Sequence, residues 1–362
     1  MTFTLRLRTL ELPLRDPFVI ARSSHGAGQS STTVVATIRD EADGPDGPVG
    51  IGEGYPDSYY GDTPETMAAV APRLLDALRA IAPDLRGSAD DVRAALEDAD
   101  GLMTASIAHH GAIKCAIDIA LHDLAGKRLG MSVRALLGVG GPVPPTDFTL
   151  GLDEPAVVAE RARQAGDFPA LKIKVGGADD MQTLEAVRAV YAGPIRVDAN
   201  TGWTPEGALA LLPALERLGV ELIEQPFPAR RLDQLRWLQD RSSLPLVADE
   251  SAVTIEDLDA LVGVTAGVNV KLAKCGGVGP AKRMLERARE LGFLTFLGCM
   301  EETSIGIAAS AAVSPLADWV DLDGCLLLAD DPVTGLEIAP DKRWILGDAP
   351  GLGLSLRDSA TP

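Results

Sequence analysis

The spacing of apolar and polar positions changes twice along the chain. "TFTLRLRTLELPL", "STTVVATIRD" and "GPVGIGEG" alternate or run apolar over strand length, and the turn-rich "EADGPDGP" follows the second, so three strands are expected. The spacing then lengthens to that of helices. "GDTPETMAAVAPRLLDALRAI" offers Thr63 as N-cap and Pro64 at the first helical position, and "SIAHHGAIKCAIDIALHDLAGKRLG" carries an apolar stripe that stops at Gly130. Between the first two strands, "DPFVIARSSHGAGQSS" is too small and polar for a core. It reads as a loop over Arg22 to Gly28 of the kind that covers a site.

From about residue 145 the pattern becomes a series of short aliphatic segments separated by amphipathic helices. The segments are "FTLGL", "LKIKV", "IRVDA", "ELIEQ", "PLVAD", "GVNVKL", "LTFLGC" and "DWVDLD", and their starts are 22 to 27 residues apart. That interval is one βα unit. Eight in succession predict a parallel α/β barrel. An open doubly wound sheet is the alternative, but no GxGxxG follows the first strand.

Composition narrows the partners. At 362 residues and 46% hydrophobic, the chain is long enough for two units with a large core. A formal net charge of −19 argues against phosphate backbones and anionic lipid surfaces, so neither nucleic acid nor membrane is expected as a partner. No apolar run reaches the roughly 18 residues of a spanning helix, and the N-terminus lacks the apolar block of a signal peptide, which makes the cytoplasm the simplest location. Cys115, Cys275, Cys299 and Cys325 show no CxxC pairing and read as reduced packing residues. A homo-oligomer is compatible with the sequence, which does not set the state.

The charged residues inside the aliphatic segments carry the chemistry. In "LKIKVG", Lys172 and Lys174 fall on the same face of one strand, where their charges repel and burial is costly. Lys174 lies near the end of the second segment, Asp198 the third, Glu224 the fourth, Asp249 the fifth, Lys271 the sixth, and Asp321 and Asp323 the eighth. All sit at C-terminal ends, the face where barrel enzymes work. Asp198, Glu224 and Asp249 on adjacent strands should converge, and three carboxylates without a cation would raise one another's pKa. His25, His109, His110 and His122 all precede the barrel, so the ligands are oxygens and the ion is Mg²⁺ or Mn²⁺ rather than Zn²⁺. Remaining ligand positions call for an oxyanion substrate, most simply a carboxylate.

A free lysine is only about 0.1% neutral near neutral pH, too little for a base. Confinement beside Lys172 and a divalent cation would depress the pKa of Lys174, leaving Lys172 to stabilise an anion. Lys271, across the mouth, supplies a second base. These parts describe removal of a proton α to a carboxylate, through an enediolate, with return from the opposite face. A dehydratase or cycloisomerase could use the same parts with one base acting. Asn200 and Gln225, just beyond ligands, are expected to orient the metal site, while Glu250 should point elsewhere. "KCGGVGP", Lys274 to Pro280, reads as a tight turn rather than a phosphate loop. Glu53 and Asp57 to Tyr60 divide evenly between lid contacts and a solvated loop.

In "PFVIARS", "LKIKVG", "VDANTGW", "IEQP", "ADES", "NVKLAKCGG", "GCMEE" and "DLDG", in that order, the sequence resembles the enolase superfamily in its muconate-lactonising subgroup, and within it the dipeptide epimerases. The resemblance implies a modified TIM barrel of (β/α)7β type with an N-terminal α+β capping domain. The expected division is 1–128 for the cap, 129–325 for the barrel and 326–362 for a segment returning to the cap. It implies Lys174 and Lys271 as the acid/base pair, Lys172 as electrostatic partner, and Asp198, Glu224 and Asp249 as Mg²⁺ ligands. Lid loops near Arg22 to His25 and Tyr55 to Tyr60 would choose the substrate, with Arg22, Ser23, His25, Thr149 and Met300 as contacts. Asp321 and Asp323 would form an anionic patch on the rim for the ammonium of a dipeptide. The implied reaction is Mg²⁺-dependent epimerisation at the α-carbon of the C-terminal residue, with L-Ala-L-Glu as leading substrate. N-acyl amino acid racemase, o-succinylbenzoate synthase and muconate-type cycloisomerase are the alternatives, and a non-catalytic binding protein is a remote one. The lack of barrel histidines argues against the mandelate-racemase branch.

Overall fold

The structure, a computed structural model, describes residues 3–22 and 28–357. Three antiparallel strands, β1 (Phe3–Phe18), β2 (Gly28–Asp40) and β3 (Gly50–Gly54), form a sheet in the order β1-β2-β3. Helices α1 (Pro64–Ile81), α2 (Ala89–Ser106) and α3 (Gly111–Leu129) cover one face, burying Phe3, Val34, Ala36 and Ile38 against Met67, Leu74, Met103 and Ile117. β3 lies directly on α3 because its alternate positions are glycine: a Cβ at Gly52 would fall 2.0 Å from the Ala116 carbonyl oxygen. Thr63 caps α1 in a reciprocal box with Thr66, as the Thr-Pro pair predicts.

Two helical readings need correction. α2 has no counterpart in the sequence reading, although Ser88 and Asp91 make a capping box at its start. α3 begins at Gly111 rather than at Ser106, because His109 and His110 take positive φ values of 60° and 57° that end the preceding turn.

Eight parallel strands follow: β4 (Phe148–Leu150), β5 (Leu171–Lys174), β6 (Ile195–Asp198), β7 (Val220–Glu224), β8 (Leu246–Ala248), β9 (Gly267–Val270), β10 (Leu294–Gly298) and β11 (Trp319–Asp321). Each pairs with the next in sequence, and the last meets the first where the Asp147 N–H donates to the Val320 carbonyl at 2.9 Å. Helices link successive strands, giving the expected barrel with its α+β cap.

Buried carboxylates of the cap accept backbone N–H groups across the seam with the barrel and tail. Glu53 on β3 accepts from Thr303 N (2.9 Å) and Gly306 N (2.9 Å) at the start of the helix Ser304–Val313. Asp118 on α3 accepts from Val278 N (2.6 Å) and Gly279 N (3.2 Å), at the start of the helix Val278–Glu290. Asp123 accepts from Leu352 N (2.7 Å) as well as from Ile51 N (2.8 Å) within the cap. Each is a charge-assisted bond to a group that would otherwise be orphaned. Together they seat the cap over the C-terminal ends of the strands.

Candidate active site

A cavity of about 310 Å³ opens at those strand ends, under β1, the β3–α1 connection and the ends of β10 and β11. Strand alternation places the charges. Lys172 and Lys174 both face inward from β5, and both are buried. The repulsion between them is offset by one shared group: Asp198 Oδ2 lies 3.4 Å from Lys172 Nζ and 2.7 Å from Lys174 Nζ. Lys172 also reaches Glu224 (2.8 Å) and Asp321 (3.1 Å). Burial disfavours its ammonium, yet Glu224, Asp321 and Asp198 outweigh that and hold its pKa well above the ordinary lysine value. Lys271 stands on the first residue after β9, opposite β5 in the barrel, 2.9 Å from Asp249. Burial again works against its charge, and Asp249 again prevails, raising it.

Asp198, Glu224 and Asp249 converge as expected. They are fully buried, and one oxygen from each lies within 4.8 Å of the others. Their protonation diverges under mutual repulsion. For Asp198 burial is overcome by Lys174 and Lys172, which pull it to about 2. For Glu224, burial and the Asp198 charge push it up to about 7. A divalent cation would relieve that conflict. The donor set fits one: three hard carboxylates, with Asn200 Oδ1 and Glu250 Oε2 buried beside them without a hydrogen-bond partner among the described residues.

The supporting residues are more numerous than the sequence suggested. Asn200 and Gln225 take the left-handed region at φ 40° and 34°, a strained conformation that aims them back at the site. Asn200 N donates to Asp198 Oδ1 (2.9 Å), and Gln225 Oε1 accepts from Asp249 N (2.9 Å). Glu250 does not point away: Asn200 Nδ2 (3.3 Å) and Arg22 Nε (3.2 Å) both donate to its Oε1. Burial, then Asp249, lifts it to about 7. Lys274 is not a surface turn residue. Its Nζ is buried and donates to Asp249 Oδ1 and to the carbonyls of Ala252 (2.9 Å) and Asn269 (3.0 Å). Asn269 Nδ2 donates to Glu224 Oε1 at 2.8 Å. The alternation of "GVNVKL", which puts Asn269 and Lys271 on one face, could have found Asn269.

Asp321 and Asp323 line the cavity but are buried beneath its rim rather than exposed on it. Thr149 holds both, its hydroxyl donating to Asp321 (2.9 Å) and its N–H to Asp323 (2.6 Å). Burial opposes ionisation of Asp321, and Lys172 outweighs it, keeping its pKa low; burial and the Asp321 charge drive Asp323 well up. Such a pair calls for a cation. Met300 lines the cavity, as does Cys299, so that cysteine is more than packing; all four thiols are free. Arg22 lines it too, paired to Asp57 (3.1 Å) as well as Glu250, while Ser23 and His25 lie outside the described residues. Glu53 belongs to the seam and not to the cavity.

Two family models match the chain: the mandelate racemase/muconate lactonizing enzyme N-terminal domain over residues 3–138, and the enolase C-terminal domain-like barrel over residues 155–360. The chain belongs to the mandelate racemase/muconate lactonizing enzyme family of the enolase superfamily. Within this family it is 37% identical to an L-Ala-D/L-Glu epimerase of Bacteroides thetaiotaomicron, covering 95% of this chain and 85% of that one. An L-Ala-D/L-amino acid epimerase of Pedosphaera parvula is 36% identical over 96% of this chain and 97% of its own. A dipeptide epimerase structure from Enterococcus faecalis V583, complexed with Mg and L-Leu-L-Tyr, superposes with a TM-score of 0.86 at 32% identity, covering 98% of this chain and all of the other. No helix among the described residues is long and apolar enough to cross a membrane.

Proposed function

We propose that this family member epimerises dipeptides at the α-carbon of the C-terminal residue by two-base 1,1-proton transfer. The observation that carries the reading is the placement of Lys174 and Lys271 on opposing strands, both lining the cavity, with the carboxylates on β6, at the end of β7 and after β8 between them. The likeness to an Mg- and dipeptide-bound epimerase supports the choice of substrate class. Asp198, Glu224 and Asp249 would hold Mg²⁺, whose positive charge would draw these carboxylates from the lysine ammoniums and favour charge on the substrate carboxylate. One lysine, as the free amine, takes the α-proton, and the electron pair moves into the carboxylate to give an enediolate. Lys172, kept charged by its three carboxylates, stabilises that charge from a fixed position. The other lysine returns a proton to the opposite face. Asp321 and Asp323, steadied by Thr149, would meet the ammonium of the N-terminal residue and set the dipeptide's register.

The experiment is α-proton exchange in deuterated water with Mg²⁺, followed separately from each epimer. Lys174→Ala is expected to abolish exchange from one configuration and Lys271→Ala from the other, each by about 10²- to 10⁴-fold. A single variant that still interconverts both epimers at the wild-type rate refutes the two-base mechanism.

A further inference from the structure

Resting on the dipeptide reading, the cavity's charges narrow the substrate further. Among the described residues that line it, Arg22 is the one cation besides Lys172, Lys174 and Lys271. A substrate side chain bearing a carboxylate would need it. Arg22, however, is committed: its Nε donates to Glu250 and its terminal nitrogen to Asp57, and its guanidinium stacks 4.6 Å over the Tyr59 ring. Those partners come from the end of β8 and from the β3–α1 connection. The arginine therefore fastens the lid to the barrel. Asp57 is equally committed, since its other oxygen caps the short turn Ser58–Tyr60 by accepting from Tyr59 N at 2.9 Å.

Just past β10, Glu301 lines the same cavity and is partly buried. Ser31 on β2 donates to its backbone carbonyl at 3.3 Å, which seats this segment against the cap. With Arg22 neutralised by its own pairs, the mouth retains the negative charge of Glu301 among Leu14, Phe18, Ile20 and Leu327.

We infer that Glu301, with Arg22 withdrawn into the latch, makes this enzyme select dipeptides with neutral or basic side chains and reject acidic ones. This departs from the substrate in the name of the Bacteroides relative and from the expectation of L-Ala-L-Glu as leading substrate. A like charge in a confined mouth costs the acidic substrate on the order of tenfold in kcat/KM.

The test uses the isosteric pair L-Ala-L-Gln and L-Ala-L-Glu, which differ in charge and not in size. The wild type with Mg²⁺ is expected to exchange the α-proton of the glutamine dipeptide at least about tenfold more efficiently. Glu301→Gln should narrow that ratio, and added salt should narrow it in the wild type. Asp57→Asn keeps an N-capping side chain while loosening Arg22, and should narrow it independently. A wild-type ratio near or below one overturns the inference while leaving the dipeptide reading intact. A large ratio unmoved by Glu301→Gln overturns the assignment to Glu301. Exchange from no dipeptide at all overturns both readings together.

Discussion

At the N-terminal end of the barrel, Arg196 points inward from β6, donating to both oxygens of Asp147 and to Glu221 at 3.2 Å. Its guanidinium lies 5.7 Å from the Phe296 ring and 5.6 Å from Trp319. Two residues further along the same strand and on the same face, Asp198 belongs to the other end. Phe296 separates the two layers, with Lys172 5.2 Å from its ring. Both ends bury charge at comparable depth, but they treat it differently. The lower cluster is one cation between two acids and two aromatic faces, with its hydrogen bonds made. The upper one crowds Asp198, Glu224, Asp249, Asp321 and Asp323 around Lys172, Lys174 and Lys271, leaves Asn200 Oδ1 and Glu250 Oε2 without a hydrogen-bond partner among the described residues, and opens onto a cavity. Burial of charge alone therefore does not mark a site; incomplete satisfaction beside a cavity does.

The contrast can be broken at either end. The largest effect belongs at the upper one: Asp249→Asn or Glu224→Gln should lower kcat/KM by roughly 10²- to 10⁴-fold, several kcal/mol of lost charge stabilisation. Mg²⁺ is expected to raise the Tm of the wild type, and the same variants should lose that rise. Unchanged kinetics in either variant would remove the triad from the mechanism. At the lower end, Arg196→Ala leaves the buried Asp147 without a cation and should cost about 3–5 kcal/mol in denaturant unfolding. The folded protein should keep its kcat; a loss of kcat matching the triad variants would merge the two clusters into one site.

The smallest effect is a pH dependence. Burial, opposed by Arg196, lifts Asp147 to about 7 from an ordinary value near 3.8. The native state then holds a proton that the unfolded chain releases. The associated stability is complete below the unfolded pKa and is lost as pH rises through about 7. Thermal melts from pH 4 to 8 should show Tm falling, and Asp147→Asn should shallow the fall. An identical slope in wild type and variant would show that Asp147 does not titrate in this range.

Regular spacing made the barrel readable, since each strand had to be apolar and each βα unit has a nearly fixed length. The triad was readable because acids recur at the same height on successive strands. Lys274 was not, because its reach back to Asp249 depends on the turn after β9 folding under the strand ends, a tertiary fact that no local pattern encodes. Glu250 was misjudged because alternation holds within a strand, and this residue lies past the end of β8, where the chain has already turned. α2 escaped because its polar face is as dense as a loop's. Arg196 and Asp147 were illegible for the opposite reason, being charges within a strand or just before one, away from the C-terminal ends where barrel chemistry is expected.

The seam between cap and barrel has a consequence for recombination. Glu53, Asp118 and Asp123 each accept backbone N–H groups from segments distant in sequence, so the interface is specified by donor position as well as by apolar fit. A chimera that joins this cap to a related barrel inherits three acceptors whose donors must fall within a few tenths of an ångström. Where they do not, each becomes a buried anion without a partner. Exchange of specificity by swapping whole caps is thus a transplant of matched halves, and crossover points that keep Glu53 with Thr303 and Gly306, and Asp118 with the helix start at Val278 and Gly279, are the ones expected to yield folded hybrids.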